Sequence, residues 1–276
     1  MTHTVGAALP TPTPAPPAPK VRRSARVSPQ RLIWFLGLLI VPVAWELYAA
    51  FADSPLIVGP LAVLEAGVEM ARDGELTTAI WQSASVFVVG MAMGTALGLL
   101  VGILVGRFRS MDVMLDPYIS ALFATPLVAV IPILVVALGF GFFAKVVIVA
   151  MFAFFPVTIN TAAGVRGVPR DLDELARSFC STELQAWRDI LIPGALPFIV
   201  TGIRLAVGRS LIAVVVAEFS TAVTGLGFLI LVNSRRFNMA ESLVPVVILM
   251  ITGFVLYTAL KSVETRLAPW IVRTAE

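Results

Sequence analysis

The chain has 276 residues, 58% of them apolar, with a mean hydropathy of +0.94 and a formal net charge of +3. That composition excludes an ordinary soluble domain and describes an all-α, polytopic membrane protein. One cysteine, Cys180, excludes an internal disulfide framework, and the sole histidine, His3, removes histidine-based zinc sites, triads and proton relays.

Residues 1–30 are rich in Ala, Thr and Pro and then basic (KVRRSAR), a composition that cannot build a core and predicts a disordered tail. Its basic cluster reads as a topology determinant, not a nucleic-acid site. Leu32 to Phe51 is the first predicted span. Ala50-x-Ala52 resembles a signal-cleavage site, but the apolar run exceeds the 7–15 residues of a leader, so an uncleaved helix is expected. A polar connection from Asp53 to Thr78 should hold one short helix.

The second span runs from about Trp81 to Gly106 and carries Gly90, Gly94, Gly98, Gly102 and Gly106, a glycine every four residues. Such a ridge lets another helix approach closely. After a charged turn (Arg107, Arg109, Asp112, Asp116), the third span is expected over Pro117 to Leu138, bent by Pro126 and Pro132. A bent helix of this kind either lines a pathway or packs. The fourth span is expected over Ala144 to Gly164, the fifth over Leu196 to Glu218, and the sixth over Leu243 to Val263, with TGLGFLI as a connection.

Between the fourth and fifth spans lies a charged island. From Pro117 to Val165 the only charged residue is Lys145, whereas nine charged residues lie between Arg166 and Asp189. Each would cost a few kcal/mol in hydrocarbon, so this segment projects into water. Leu172, Leu175, Ala176 and Phe179 recur at helical spacing, with Asp171 as an N-cap and Glu174 three residues on. A second start comes at Thr182 with Gln185, then Leu184, Trp187 and Leu191 on one face, and Pro193 is expected to stop it. Two short amphipathic helices suit either a surface hairpin or a docking element.

Six spans put both termini on one side. The tail, the 107–116 turn, the island and the C-terminal segment hold fourteen Lys and Arg, and the opposite connections hold Arg72, Lys145, Arg235 and Arg236. The positive-inside rule therefore places termini and island in the cytoplasm.

Here the residues reach a resemblance. ELARSFCSTELQAWRDILIPGALP resembles the signature EAA loop of bacterial ABC importer permeases. Glu174 and Ala176 match its opening, and Ile190 to Pro193 with Pro197 match its close. Leu175 replaces the first Ala, and Cys180 stands where the family has Gly, a place where a side chain makes positive φ costly. ATPLVAVIPILVVALGFG, FFPVTINTAAGVRGVP and TGIRLAVGRSLIAVVVAEF resemble further blocks of the branch associated with nitrate, sulfonate, taurine and similar solutes.

The resemblance implies a permease homodimer, two cytoplasmic ATPase subunits carrying ATP and Mg, and a periplasmic or lipoprotein solute-binding protein. It implies a coupling role for Asp171, Glu174, Leu175, Ala176, Phe179, Cys180 and Pro193, with Glu174, Leu175, Ala176, Phe179 and Cys180 seated in a groove on the ATPase. The expected organisation is then a tail (1–30), the first span and its connection (31–75), the permease core (76–270) containing the coupling loop (165–196), and a short end (271–276).

The chain has no motor of its own in its sequence. Its lysines, Lys20, Lys145 and Lys261, come after Pro19, Ala144 and Leu260, so no Walker Gly-Lys pair exists. Gly225-x-Gly227 lacks the third glycine of a dinucleotide loop and reads as a turn. No cofactor is expected in this chain, and no enzyme activity.

Ionisable groups inside spans are few: Glu46, Arg204, Arg209 and Glu218. Arg204 is placed to snorkel. Arg209, nearer mid-span, either pairs structurally or lines the pathway and favours anionic solutes. Glu218 is expected to make a gate or interfacial contact. Pro126, Pro132, Arg209 and Glu218 are thus the candidate pathway residues. The alternative class, a stand-alone secondary transporter or channel, calls for mid-membrane acidic groups and an internal repeat, and neither is visible in the sequence.

Overall fold

The computed structural model describes residues 29–267 apart from Asp53, Arg170, Asp173 and 175–177. All regular structure among the described residues is helical: α1 Pro29–Phe51, α2 Pro60–Arg72, α3 Glu75–Arg107, α4 Arg109–Ala124, α5 Leu127–Leu138, α6 Phe142–Arg166, α7 Glu183–Thr221, α8 Leu226–Arg235 and α9 Met239–Leu267. The chain divides into two units, residues 1–44 and 45–276. In the first, residues 29–44 form the opening turns of α1. The second holds the rest of α1 and all the later helices.

Four described helices are long and apolar enough to cross a membrane: α3, α6, α7 and α9 over Met239–Ser262. The pair α4 and α5 makes a fifth if counted as one broken span. The third predicted span is therefore corrected. It is not one kinked helix over 117–138 but two helices meeting at 96°. Pro126 disfavours helical backbone at the residue before it, and Thr125 is extended there (φ −69°, ψ 136°). Thr125 closes α4 by giving its amide and its hydroxyl to the Ala121 carbonyl.

The glycine ridge on α3 is filled by α6, which runs parallel to it. A Cβ added at Gly90, Gly98, Gly102 or Gly106 would lie within 3 Å of Val149, Val157, Thr161 or Val165, and one at Gly94 would strike the Ala150 carbonyl. A four-residue row on one helix therefore meets a four-residue row on the other, ridge into groove. The largest helix–helix contact in the fold results, and it buries Ala153, Val157 and Thr161 completely. The return helix α7 closes on α6 through Gly202 and Gly164, so three spans share one tight core.

Two short helices, α2 and α8, complete one end. The first is the helix expected in the 53–78 connection; the second occupies a stretch whose sequence reads only as a turn and connection. Val63 and Met70 of α2, Leu76 and Ala79 of α3, Leu226 and Leu229 of α8 and Val244 of α9 form a single apolar cluster. A carboxylate from α1 pins the first of them: Glu46 Oε2 accepts the Leu61 amide at 3.1 Å, at the N-terminal turn of α2.

Pro193 does not stop a helix, contrary to expectation. Glu183–Ala186 continues through a π-helical turn, Trp187–Leu191, into Ile192–Thr221. Proline inside an α-helix clashes with the carbonyl four residues back and leaves it unbonded. The wider π turn just before Pro193 shifts the hydrogen-bond register, with the Ile192 amide reaching back to the Trp187 carbonyl, and lets the helix pass.

Candidate functional site

The island is the first candidate. Its first half has helical backbone at Asp171, Leu172, Glu174 and Ser178, and the Leu172 amide bonds the Pro169 carbonyl. Asp171 is itself helical, inside the start it is expected to cap. Leu175 and Ala176 lie outside the described residues. Leu172 and Phe179, the two described members of the apolar stripe, are both exposed, Phe179 by 76%.

Cys180 takes φ 54°, the left-handed conformation that its family counterpart would supply with glycine. The turn is thus kept despite the side chain. Thr182 then caps the next helix: its hydroxyl accepts the Gln185 amide at 3.4 Å, and its own amide donates to Gln185 Oε1 at 2.8 Å. This is the capping box read in the sequence.

The expected second stripe is split. Leu191 is buried while Leu184, seven residues earlier, is 78% exposed. The π turn between them adds backbone to the turn and rotates the residues beyond it, so a seven-residue spacing no longer returns to the same face.

Ion pairs tie the island to neighbouring helices. Arg166 bonds Asp112, and Asp116 at 3.2 Å, while Arg107 meets Glu183 Oε2 at 3.2 Å. Three of these residues, Arg107, Asp112 and Arg166, line a cleft of about 570 Å³ together with Arg109, Glu174 and Leu191. Glu174 thus stands at the edge of a charged cleft with an exposed aromatic side chain, Phe179, further along the same segment. That arrangement suits a docked partner surface, and among the described residues it offers no nucleophile–base pair.

The pathway candidates separate into two places. Pro126 is exposed at the α4–α5 break, Pro132 is exposed within α5, and Arg209 is exposed on α7 beside the break. The Arg209 guanidinium carbon lies 4.8 Å from the centroid of the Phe123 ring, a cation–π contact that holds the charge next to the break.

Glu218 is elsewhere and faces no opening. It is fully buried, with Oε1 accepting the Ser83 hydroxyl at 2.7 Å and Oε2 accepting the Gly227 amide at 2.7 Å. Ser83 Oγ in turn accepts the Leu226 amide at 2.8 Å. Lys145, counted in the sequence among the positive charges of a connection, is buried as well. It donates to the Thr224 carbonyl and hydroxyl, both at 2.9 Å.

Sequence reasoning misses Ser83 because a lone serine in an apolar helix has no periodic signature. Its partners lie 135 and 143 positions away. The signal that could have found this set is Glu218 itself: a carboxylate at a span's end, seven residues before a Gly-x-Gly turn, needs donors, and a helix N-terminus supplies them.

The chain is similar to known proteins over most of its length. Residues 94–273 match the model of a family described as binding-protein-dependent transport system inner membrane component. An Escherichia coli (strain K12) permease named for aliphatic sulfonates transport, SsuC, is 36% identical over 81% of this chain and 84% of its own length. The riboflavin transport system permease protein RibX of Chloroflexus aurantiacus is 33% identical over 91% of this chain and 97% of its own. The taurine transport system permease protein TauC of Escherichia coli (strain K12) is 29% identical over 84% and 86%.

Among solved structures, an inward-facing MetNI methionine ABC transporter superposes with a TM-score of 0.55 at 21% identity, over 68% of this chain and 94% of that one. That likeness is one of fold. With a family match across most of the chain, and relatives above 30% identity over most of both lengths, the protein belongs to the binding-protein-dependent transport system inner membrane components, the permeases of ABC importers.

Proposed function

We propose that this permease carries a small anionic solute of sulfonate, taurine or nitrate type, as the membrane subunit of an ATP-driven importer. It has six spans, with termini and the 165–196 loop in the cytoplasm and α2 and α8 at the outer face. Two copies form the pathway, two separate ATPase subunits hydrolyse Mg-ATP beneath them, and a solute-binding protein delivers from outside.

Asp171, Glu174, Leu175, Ala176, Phe179 and Cys180 dock in a groove of the ATPase, and Pro193 with its π turn joins that docking segment to α7. Closure of the ATPase pair moves the docking segment, α7 moves with it as one 39-residue helix, and the bundle alternates between inward- and outward-open forms. Pro126, Pro132 and Arg209 face the path.

The observation that carries the reading is the island: a segment between two spans whose sequence carries an apolar stripe, whose described stripe residues Leu172 and Phe179 are exposed, and which is ion-paired to the bundle through Arg107–Glu183. Anion preference is supported by Arg209, whose charge is exposed within a span and held against Phe123.

Uptake by proteoliposomes containing permease, ATPase and binding protein tests it. Taurine or an alkanesulfonate should accumulate only with ATP. Arg209→Gln should cut that uptake about tenfold, the scale of one hydrogen bond to a charged group, while the complex still assembles. Accumulation driven by an ion gradient without ATP would overturn the importer reading.

A further inference from the structure

The buried set around Glu218 has no part in docking or in the path. It joins four elements at one point: Ser83 from α3, Lys145 from α6, Glu218 from α7, and the Thr224–Gly227 turn that opens α8. The first-turn amides of α8 at Leu226 and Gly227 have no partners within their own helix. Ser83 takes one and Glu218 the other, and Ser83 donates its own hydroxyl to Glu218, so the carboxylate accepts directly and through a relay.

Gly225 fits this closure and little else would. It holds φ 106°, open to glycine, and a Cβ there would run into the Glu218 carboxylate. Lys145 fastens the same turn from the other side through Thr224. Beyond the turn, α8 packs with α2 and the start of α9 in one apolar cluster.

The same helix that ends in this knot begins at the docking segment. α7 runs unbroken from Glu183, paired with Arg107, to Thr221, three residues past Glu218. We infer that Glu218 is a positioning residue that locks α8, and with it α2, to the end of α7, so that displacement of α7 at the docking segment moves the α2–α8 cap as part of the same rigid body. This inference rests on the proposed reading of α7 as the helix that moves with the ATPase. The locked cap is then the surface whose placement the solute-binding protein senses at the outer face.

The test uses the full complex of permease, ATPase and binding protein in nanodiscs, with Cys180→Gly as a cysteine-free background. Spin labels at Thr77 on α3 and Arg235 on α8, both exposed, report how tightly the cap is held. With Glu218 intact a narrow distance distribution is expected. In Glu218→Ala it should broaden, and stimulation of ATP hydrolysis by loaded binding protein should fall about tenfold, within the range of ordinary coupling energies. Measured against the Cys180→Gly parent, hydrolysis without binding protein should stay within about twofold, since Glu218 lies outside the docking segment and both proteins share the same change within it.

Glu218→Gln keeps one acceptor and should fall between. Ser83→Ala removes only the relay, and decides the question if Glu218→Ala does not fold. It too should broaden the distribution and lower stimulation, by about threefold. A narrow distribution with wild-type stimulation in Ser83→Ala and Glu218→Gln would overturn the inference. Absence of stimulation in the wild-type complex would instead count against the importer reading, while the label distances would still judge the lock.

Discussion

Cys180 shows how a single departure from a family's habit is absorbed. The residue sits at φ 54°, where a Cβ costs about 1–2 kcal/mol against the next carbonyl. Glycine would relieve that cost but would also free the unfolded chain, so the two effects partly cancel. Cys180→Gly should therefore leave melting temperature in detergent and ATPase coupling close to wild type. Cys180→Val, branched at Cβ, should lower stability by about 1–3 kcal/mol and loosen coupling. Thermal unfolding monitored by size-exclusion fluorescence checks both. Unchanged stability in the valine variant would mean the turn does not need its left-handed residue.

The same scale explains which sites are visible in the sequence. Thr182 and Gln185 are legible as a cap because both partners sit three residues apart in one helix turn. Glu174 and Phe179 are legible because charge and apolar spacing stand out against a greasy background. Ser83 and the burial of Lys145 are not, since each is defined by a group far away in the chain.

Among elements, the contact of α3 with α6 is the clearest consequence of sequence. Five glycines four apart require a close neighbour, and α6 answers with Val149, Ala153, Val157, Thr161 and Val165, also four apart. The ridge describes one half of the contact; only the fold names the helix that fills it. Gly94→Ala should cost about 1–3 kcal/mol through overpacking against the Ala150 carbonyl and Ala153. Gly253→Ala is the control, because the nearest atom there is a Leu211 methyl at 3.4 Å. It should be neutral or gain about 0.5–1 kcal/mol from reduced backbone freedom. Equal melting temperatures for the two variants would contradict the packing described.

Two element-scale features resist reading for physical reasons. Prolines announce a bend in the third span, yet the 96° angle depends on Thr125 being forced extended and on the core that α5 then joins, with Ile148 and Val149 of α6 and Ala213, Val214 and Ala217 of α7. Pro193 announces a helix end, and the π turn before it removes the clash that would have made one. Helix α8 hides because LGFLILVNSR is short and apolar on nearly every face, leaving no period to detect.

In the whole molecule, a single helix joins the island to the buried Glu218 set. The docking segment and its ion pairs lie at the start of α7, the buried Glu218 set lies at its finish, and Arg209 is exposed between them beside the α4–α5 break. Family membership implies an ATPase and a solute-binding partner, and under the proposed reading α7 connects the two places at which they act.

The measurement that tests the central claim most directly is recovery of the ATPase with the tagged permease in detergent, comparing wild type with Glu174→Lys. Reversing the charge at the edge of the docking cleft should lose the ATPase while the permease elutes at its usual position with unchanged melting temperature. Stoichiometric recovery of the ATPase with the lysine variant, together with wild-type coupling of hydrolysis to uptake, would contradict the account.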